Sequence, residues 1–279
     1  MISNKTQKLK RNNMKKVFLI IIATTFLSFQ GYAQEKDGTE QSDIRLKTFK
    51  MTKSVGKIHI DLGNAIIEGH SGNEIIFSSR TKATKEDERA KGLKAINGLG
   101  LVDNTGLGIN VTEVNGVMQV SQMNSTYPSE VKILVPNGMI IVFDHQSKFG
   151  KSVVVRNIKS EIEISTRECT IDLDNVSGPA VIKTIYGDIK ALFSQNVKGP
   201  LSIISINGDI DVTLPKTVQA DLKMSTKYGE LFIAPELKID VQKHDKMTSY
   251  NNQVNAKING GGFSIDLRSN AGKIYLRTK

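Results

Sequence analysis

A pattern of eight residues returns through the second half of the chain, and it constrains the fold more than any other feature. A Ser or Thr is followed by two variable residues, Gly, a charged residue, an aliphatic residue, any residue and an apolar one. It reads TIYGDIKA at Thr184–Ala191, SINGDIDV at Ser205–Val212, TKYGELFI at Thr226–Ile233 and SNAGKIYL at Ser269–Leu276. Weaker copies are KSVGKIHI at Lys53–Ile60, SKFGKSVV at Ser147–Val154 and TRECTIDL at Thr166–Leu173, where Cys169 replaces the Gly. Positions 150, 169, 187, 208, 229 and 272 are separated by 19, 18, 21, 21 and 43 residues, the last about two periods. A second motif keeps step with the first: NIKS at Asn157, NVSG at Asn175 and NVKG at Asn196.

Within each unit the residues after Gly alternate, as in Ile189-Lys190-Ala191 and Ile210-Asp211-Val212. Period-two alternation marks a strand buried on one face. Gly permits a turn that a Cβ would obstruct, and Asn-Val-x-Gly is turn chemistry of its own. One unit of two short strands and two turns cannot bury its apolar side alone. Stacked on like units about 4.8 Å apart, it builds continuous aliphatic ladders. The repeat therefore predicts an all-β fold, a parallel β-solenoid (β-helix) with rungs of ~18–21 residues. Strands are expected over Lys57–Leu62, Ala65–Glu68, Glu74–Ser79, Gly108–Thr112, Val117–Gln122 and Glu130–Val135. The charged stretch Thr84–Ile96 breaks the β pattern and predicts a short helical insertion near residues 84–96. Lys243–Lys257 reads as a polar excursion.

The N-terminus has the three parts of a secretory signal peptide: a basic block from Lys5 to Lys16, the apolar run Val17–Phe29, and small residues at Gly31 and Ala33. The expected organisation is a cleaved signal peptide over 1–33, a flexible segment over 34–50 and a single domain over 51–279. The 13-residue apolar run is short for a bilayer-spanning helix, which needs about 20 residues. No transmembrane helix is expected after cleavage. The formal charge of +10 falls to +4 without residues 1–33, which carry six Lys or Arg and no acid. The basicity is thus largely a targeting feature, and no clustered basic face suggests nucleic acid as a partner. Cys169 is the single cysteine, which excludes an intramolecular disulfide and a Cys-based zinc site.

The repeated SxxGDI units behind an exported N-terminus resemble the bacterial envelope "putative adhesin" β-strand-repeat family, related to adhesin-head GIN-type domains. NGGGFSIDLRSNAGKIYLR at Asn259–Arg277 is similar to that family's ending, and KGLKAINGLGLVDNTGLGINV at Lys91–Val111 to its usual insertion region. The resemblance covers roughly residues 50–279. It implies a parallel β-solenoid in the periplasm, at the outer surface or secreted, and names no ligand.

Two sets of residues are candidates for ligand contact. Asp188, Asp209 and Glu230 follow successive repeat glycines, so stacking would align them as a carboxylate ladder able to hold a cation or act as an acid–base pair. The competing reading is solvated turn residues that discourage edge pairing; Lys151 and Lys273 fill the same position elsewhere. Tyr186 and Tyr228, with Phe149, precede the repeat Gly and offer rings for sugar stacking, or simply cover turns. The outward positions Lys190, Asp211, Phe232 and Tyr275 define a further stripe. The four histidines have no partners at metal-ligand spacing and read as surface residues. Nucleophile-elbow, P-loop and dinucleotide fingerprints are missing. No catalytic residue, metal or cofactor is assigned. The resulting expectation is a non-catalytic envelope or surface adhesion or interaction module whose partner is a glycan or an envelope or surface protein. The alternatives are a periplasmic structural or signalling accessory and a polysaccharide-acting β-helix enzyme.

Overall fold

The structure, a computed structural model, describes residues 44–82, 88–124, 126–241 and 252–279. The signal-peptide segment 1–33 lies outside the described residues. The first strands are β1 (Ile44–Thr52), β2 (Val55–Asp61), β3 (Asn64–His70), β4 (Glu74–Lys82), β5 (Ile109–Val114), β6 (Val117–Gln122) and β7 (Val131–Pro136). A regular middle follows, with β8 (Gly138–His145), β9 (Ser152–Arg156), β10 (Ile162–Thr166), β11 (Thr170–Val176), β12 (Ala180–Thr184), β13 (Ile189–Phe193), β14 (Leu201–Ser205) and β15 (Ile210–Leu214). The last part holds β16 (Ala220–Thr226), β17 (Leu231–Ile233), β18 (Ile239–Val241), β19 (Asn252–Ile258), β20 (Phe263–Ser269) and β21 (Ile274–Thr278).

These strands form two sheets. A ten-stranded sheet runs β1-β4-β7-β3-β9-β11-β13-β15-β21-β17, and an eleven-stranded sheet runs β18-β19-β16-β20-β14-β12-β10-β8-β2-β6-β5. From Ser147 onward each sequence repeat gives one strand to each sheet, with the turn at Gly (or Cys169) between them. Pairing in the middle is parallel and in register, so like residues stack. Val153, Ile171, Ile189, Ile210 and Ile274 form one buried row, and Phe143, Ile164, Ile182, Ile203, Leu267 and Met224 another. Both inner faces meet in one hydrophobic cluster. Each fully buried Ile, Leu or Val contributes about 1.5–3 kcal/mol, which is how a rung with no staple holds to its neighbours.

The expected fold needs three corrections. First, the pairing is mixed, not all parallel: β1–β4, β4–β7, β5–β6, β16–β19 and β18–β19 are antiparallel, all toward the ends of the sheets. Second, the rungs do not follow chain order as a solenoid requires. The last rung, β20–β21, is inserted between β14–β15 and β16–β17. Likewise β2–β3 lies between β6–β7 and β8–β9. Third, no α-helix occurs among the described residues. The described part of 84–96 holds a single 3-10 turn at Glu88–Ala90, then turns, and at Ile96 a bridge to Val102. Gly92 weakens a helix there, and just beyond it Asn97 bonds the amides of Leu99 and Leu101 in a turn instead.

Two smaller differences concern segments expected to lack regular structure. Ile44–Lys50, placed in the flexible segment 34–50, belong to β1. The described part of Lys243–Lys257 is strand β19. The strands expected between residues 57 and 135 correspond to β2 through β7.

Candidate functional site

From Thr166 onward the Ser or Thr of the repeat ends a strand of the eleven-stranded sheet and points inward. Parallel register aligns His145, Thr166, Thr184, Ser205, Ser269 and Thr226 in one buried row. Ser205 Oγ accepts from the Gly208 amide of its own turn at 2.8 Å and donates to the Gly187 carbonyl of the next rung at 3.2 Å. Ser269 does the same with the Gly272 amide (2.8 Å) and the Gly208 carbonyl (3.0 Å), and Thr226 with the Gly229 amide (3.1 Å) and the Gly272 carbonyl (3.0 Å). These bonds explain the motif: they satisfy buried backbone groups that would otherwise be costly. They also fix the glycines. A Cβ at Gly208 would run into the Gly187 carbonyl, and one at Gly272 into the Gly208 carbonyl.

Outside this seam, the carboxylates of the turns have structural partners. Asp188 Oδ1 accepts from the Asp209 amide at 2.9 Å, and Asp209 Oδ1 from the Lys273 amide at 2.7 Å. Glu230 pairs with Lys273 Nζ at 3.2 Å, and this bond lifts the Lys273 ammonium above its ordinary pKa. The inserted rung therefore puts Lys273 between Asp209 and Glu230, and the three acids do not form a continuous line. Among the described residues no group of three or more His, Cys, Asp or Glu is arranged to hold a metal ion.

The aromatics before the repeat Gly are also dispersed. Tyr186 and Tyr228 are exposed, but Asn207 and Ala271 occupy the turns stacked between them. Tyr228 instead carries Lys227 Nζ over its ring at 5.0 Å, and Phe149 carries Lys148 Nζ at 5.2 Å.

The outward stripe of the ten-stranded sheet is brought together, in a new order. Register makes Lys190, Asp211, Tyr275 and Phe232 successive neighbours across four strands. The rings of Phe232 and Tyr275 stack with centroids 5.1 Å apart and planes 9° from parallel. Two residues missed at the sequence level complete the patch. Arg277 lies 5.3 Å from the Tyr275 ring and hydrogen-bonds Asp211 at 2.8 Å, which raises the guanidinium pKa. Lys273 Nζ is 6.0 Å from the Phe232 ring. Their signal was the outward spacing of Lys273, Tyr275 and Arg277 in the last repeat. Phe232 sits on β17, the edge strand among the described residues, so one side of the pair has no neighbouring strand there.

The histidines divide. His59 Nδ1 lies 3.0 Å from Gln119 Oε1, and His70 bonds within its own turn to Glu74 and Gly72. His244 lies outside the described residues. His145, expected at the surface, is buried: it takes the Ser/Thr place in the inner row. Its Nδ1 is 2.8 Å from Asp61 Oδ1, while Nε2 has no hydrogen-bond partner among the described residues. Asp61 and His145 line a cleft of about 410 Å³ together with Leu99, Gln122, Met123 and Gln146.

Several crystal structures are similar to the chain, two of them as follows. One is a putative cell adhesion protein from Clostridium sporogenes, with 12% identity and a TM-score of 0.43 over 85% of this chain and 100% of that one. The other is a putative adhesin from Bacteroides fragilis, with 11% identity and a TM-score of 0.39 over 84% of this chain and 97% of that one. No curated protein matches the sequence significantly. The model of one protein family matches residues 37–277, nearly the whole sequence, and the chain belongs to that family, Toastrack DUF4097.

Proposed function

We propose that this protein is an exported, non-catalytic interaction module of the cell envelope, and that it engages its partner through the outward row Lys190, Asp211, Tyr275 and Phe232. The observation that carries this reading is the stacked, solvent-facing Phe232–Tyr275 pair, flanked by Lys273 and Arg277. Aromatic faces bordered by cations and a carboxylate suit sugar rings and polar protein surfaces alike. The rigid rungs beneath hold the row in place without an ordering cost on binding. Residues 1–33 act as the cleaved signal peptide in this reading, and 34–279 are the exported chain. The turn residues Asp188, Asp209, Glu230, Tyr186 and Tyr228 border the row's turns and are secondary contacts.

The test has two parts. Protease shaving of intact cells, with an outer-membrane-permeabilised control, reports whether a tagged copy faces outward. The exported protein is then screened against envelope polysaccharides and surface proteins. The double variant Phe232→Ser/Tyr275→Ser loses binding while the protein stays folded, its melting temperature falling by only a few degrees, if the row is the site. Unchanged binding removes the row. Protection from protease until permeabilisation confines the partner to the periplasm.

A further inference from the structure

The segment between β4 and β5 exposes large apolar side chains while holding a defined shape. Leu93 is 74% exposed, Ile96 67% and Leu99 84%. Residues 95–103 form a hairpin. The Asn97 amide donates to the Leu101 carbonyl at 3.0 Å, and the Asp103 amide to the Ala95 carbonyl at 3.3 Å. Asn97 Oδ1 accepts from the amides of Leu99 and Leu101, both at 3.0 Å, which fixes the tip. Asp103 anchors the base: its carboxylate accepts from the amides of Thr105, Gly106 and Gly108 at 2.8–3.0 Å. Asn110 Nδ2 adds a bond to the Val102 carbonyl at 2.8 Å. An unstructured loop would fold its leucines onto the nearest apolar surface; this one presents them to solvent.

Charge selects the partner. Lys91 and Lys94 are exposed beside these side chains, and the chain carries no acid from Arg89 to Val102. The Asp103 carboxylate is turned to the backbone amides. Solvent-exposed apolar side chains interleaved with cations, on a hairpin whose tip overhangs the cleft at Asp61 and His145, match the boundary between lipid headgroups and acyl chains. A protein partner would need a pocket shaped to the tip, whereas a bilayer yields around it.

We propose that the hairpin 95–103 with Leu93 is a membrane-docking tip that inserts Leu93, Ile96 and Leu99 into the interface of an anionic bilayer, with Lys91 and Lys94 on the phosphates. The tip leads into β5, the edge strand at one end of the eleven-stranded sheet. The Phe232–Tyr275 pair is at the opposite end of the stack of rungs, on the edge of the other sheet. Docking by the tip leaves the aromatic row free, so this inference stands whether or not the row binds a partner.

The exported protein, its N-terminus confirmed by mass spectrometry, is labelled with an environment-sensitive fluorophore at Leu99→Cys; buried Cys169 does not compete for the reagent. It is mixed with vesicles of phosphatidylglycerol and phosphatidylethanolamine, or of phosphatidylcholine alone. A blue shift of the label with the anionic vesicles, weakened by salt, is expected. Without label, Leu93→Ser/Ile96→Ser/Leu99→Ser lowers co-sedimentation at least tenfold. Lys91→Glu/Lys94→Glu lowers it selectively for the anionic vesicles, and Phe232→Ser/Tyr275→Ser leaves it unchanged. No blue shift, or equal sedimentation of the triple-serine variant, overturns the proposal. Capture of an envelope protein by the tip without vesicle binding overturns it in favour of a protein partner.

Discussion

Ser269 donates a hydrogen bond to the carbonyl of Gly208, 61 residues away in sequence and one rung away in space, at 3.0 Å. The same hydroxyl accepts from the Gly272 amide in its own turn. Ser269→Ala leaves both backbone groups buried and unpaired. A loss of about 2–4 kcal/mol is expected in urea unfolding. Ser269→Thr keeps both bonds, as Thr226 does in the adjacent rung, and costs less than about 1 kcal/mol.

The glycines of this seam are under a steric limit. Gly208→Ala presses a methyl against the Gly187 backbone, which cannot swing aside as a side chain would. About 3 kcal/mol of destabilisation follows. Gly98→Ala, with no atom within 4 Å of its added Cβ, stays within about 0.5 kcal/mol in the same assay.

Cys169 replaces a repeat Gly and is buried. Burial pushes the thiol pKa from its ordinary 9.0 up to about 11, a lowering backbone hydrogen bond from Lys151 being outweighed. The folded state thus keeps the proton that the unfolded chain gives up. The resulting stability is full below pH 9 and is lost as the pH rises through 11, on the order of 2 kcal/mol in all. Chemical denaturation from pH 8 to pH 11 should show a steeper decline for the wild type than for Cys169→Ala. A thiol reagent at pH 8 should modify Cys169 only after unfolding.

The stacked pair of Phe232 and Tyr275 contributes to stability as well as to the surface. A double-mutant cycle with Phe232→Ala and Tyr275→Ala should give a coupling of about 0.5–1.5 kcal/mol. A coupling of zero would mean that the rings do not stack in solution.

Much of the inner architecture was legible because parallel register preserves what the sequence repeats. Ile189, Ile210 and Ile274 occupy equivalent places in their units and stack in one row. The repeat says that units resemble one another. It does not say which lies beside which, so the place of β20–β21 could not be read, nor the separation of Glu230 from Asp209 by Lys273. The stripe of Lys190, Asp211, Phe232 and Tyr275 was visible because outward residues alternate with core ones. Its order was hidden for the same reason as that of the rungs. His145 escaped because the Gly spacing aligned Ser147 with the motif, whereas strand pairing sets His145 opposite Thr166 and lengthens the turn. The copy at Lys53–Ile60 misled similarly: Gly56 opens a strand of the eleven-stranded sheet, and the turn between sheets comes later, at Gly63. The apolar tip at Leu99 lacks any period, and only its fixed exposure gives it meaning.

The insertion of β20–β21 between two earlier-made rungs has a consequence in time. While the chain emerges, β16–β17 has no seat, because its parallel neighbour is made after it. Strand β16 carries an inward hydroxyl, Thr226, where β14 carries Ser205, so the two faces match and can close on each other prematurely. Such a stack must reopen to admit residues 263–279. Completion therefore waits for residues 263–279, and a copy lacking them is left with a gap inside its core instead of a blunt end.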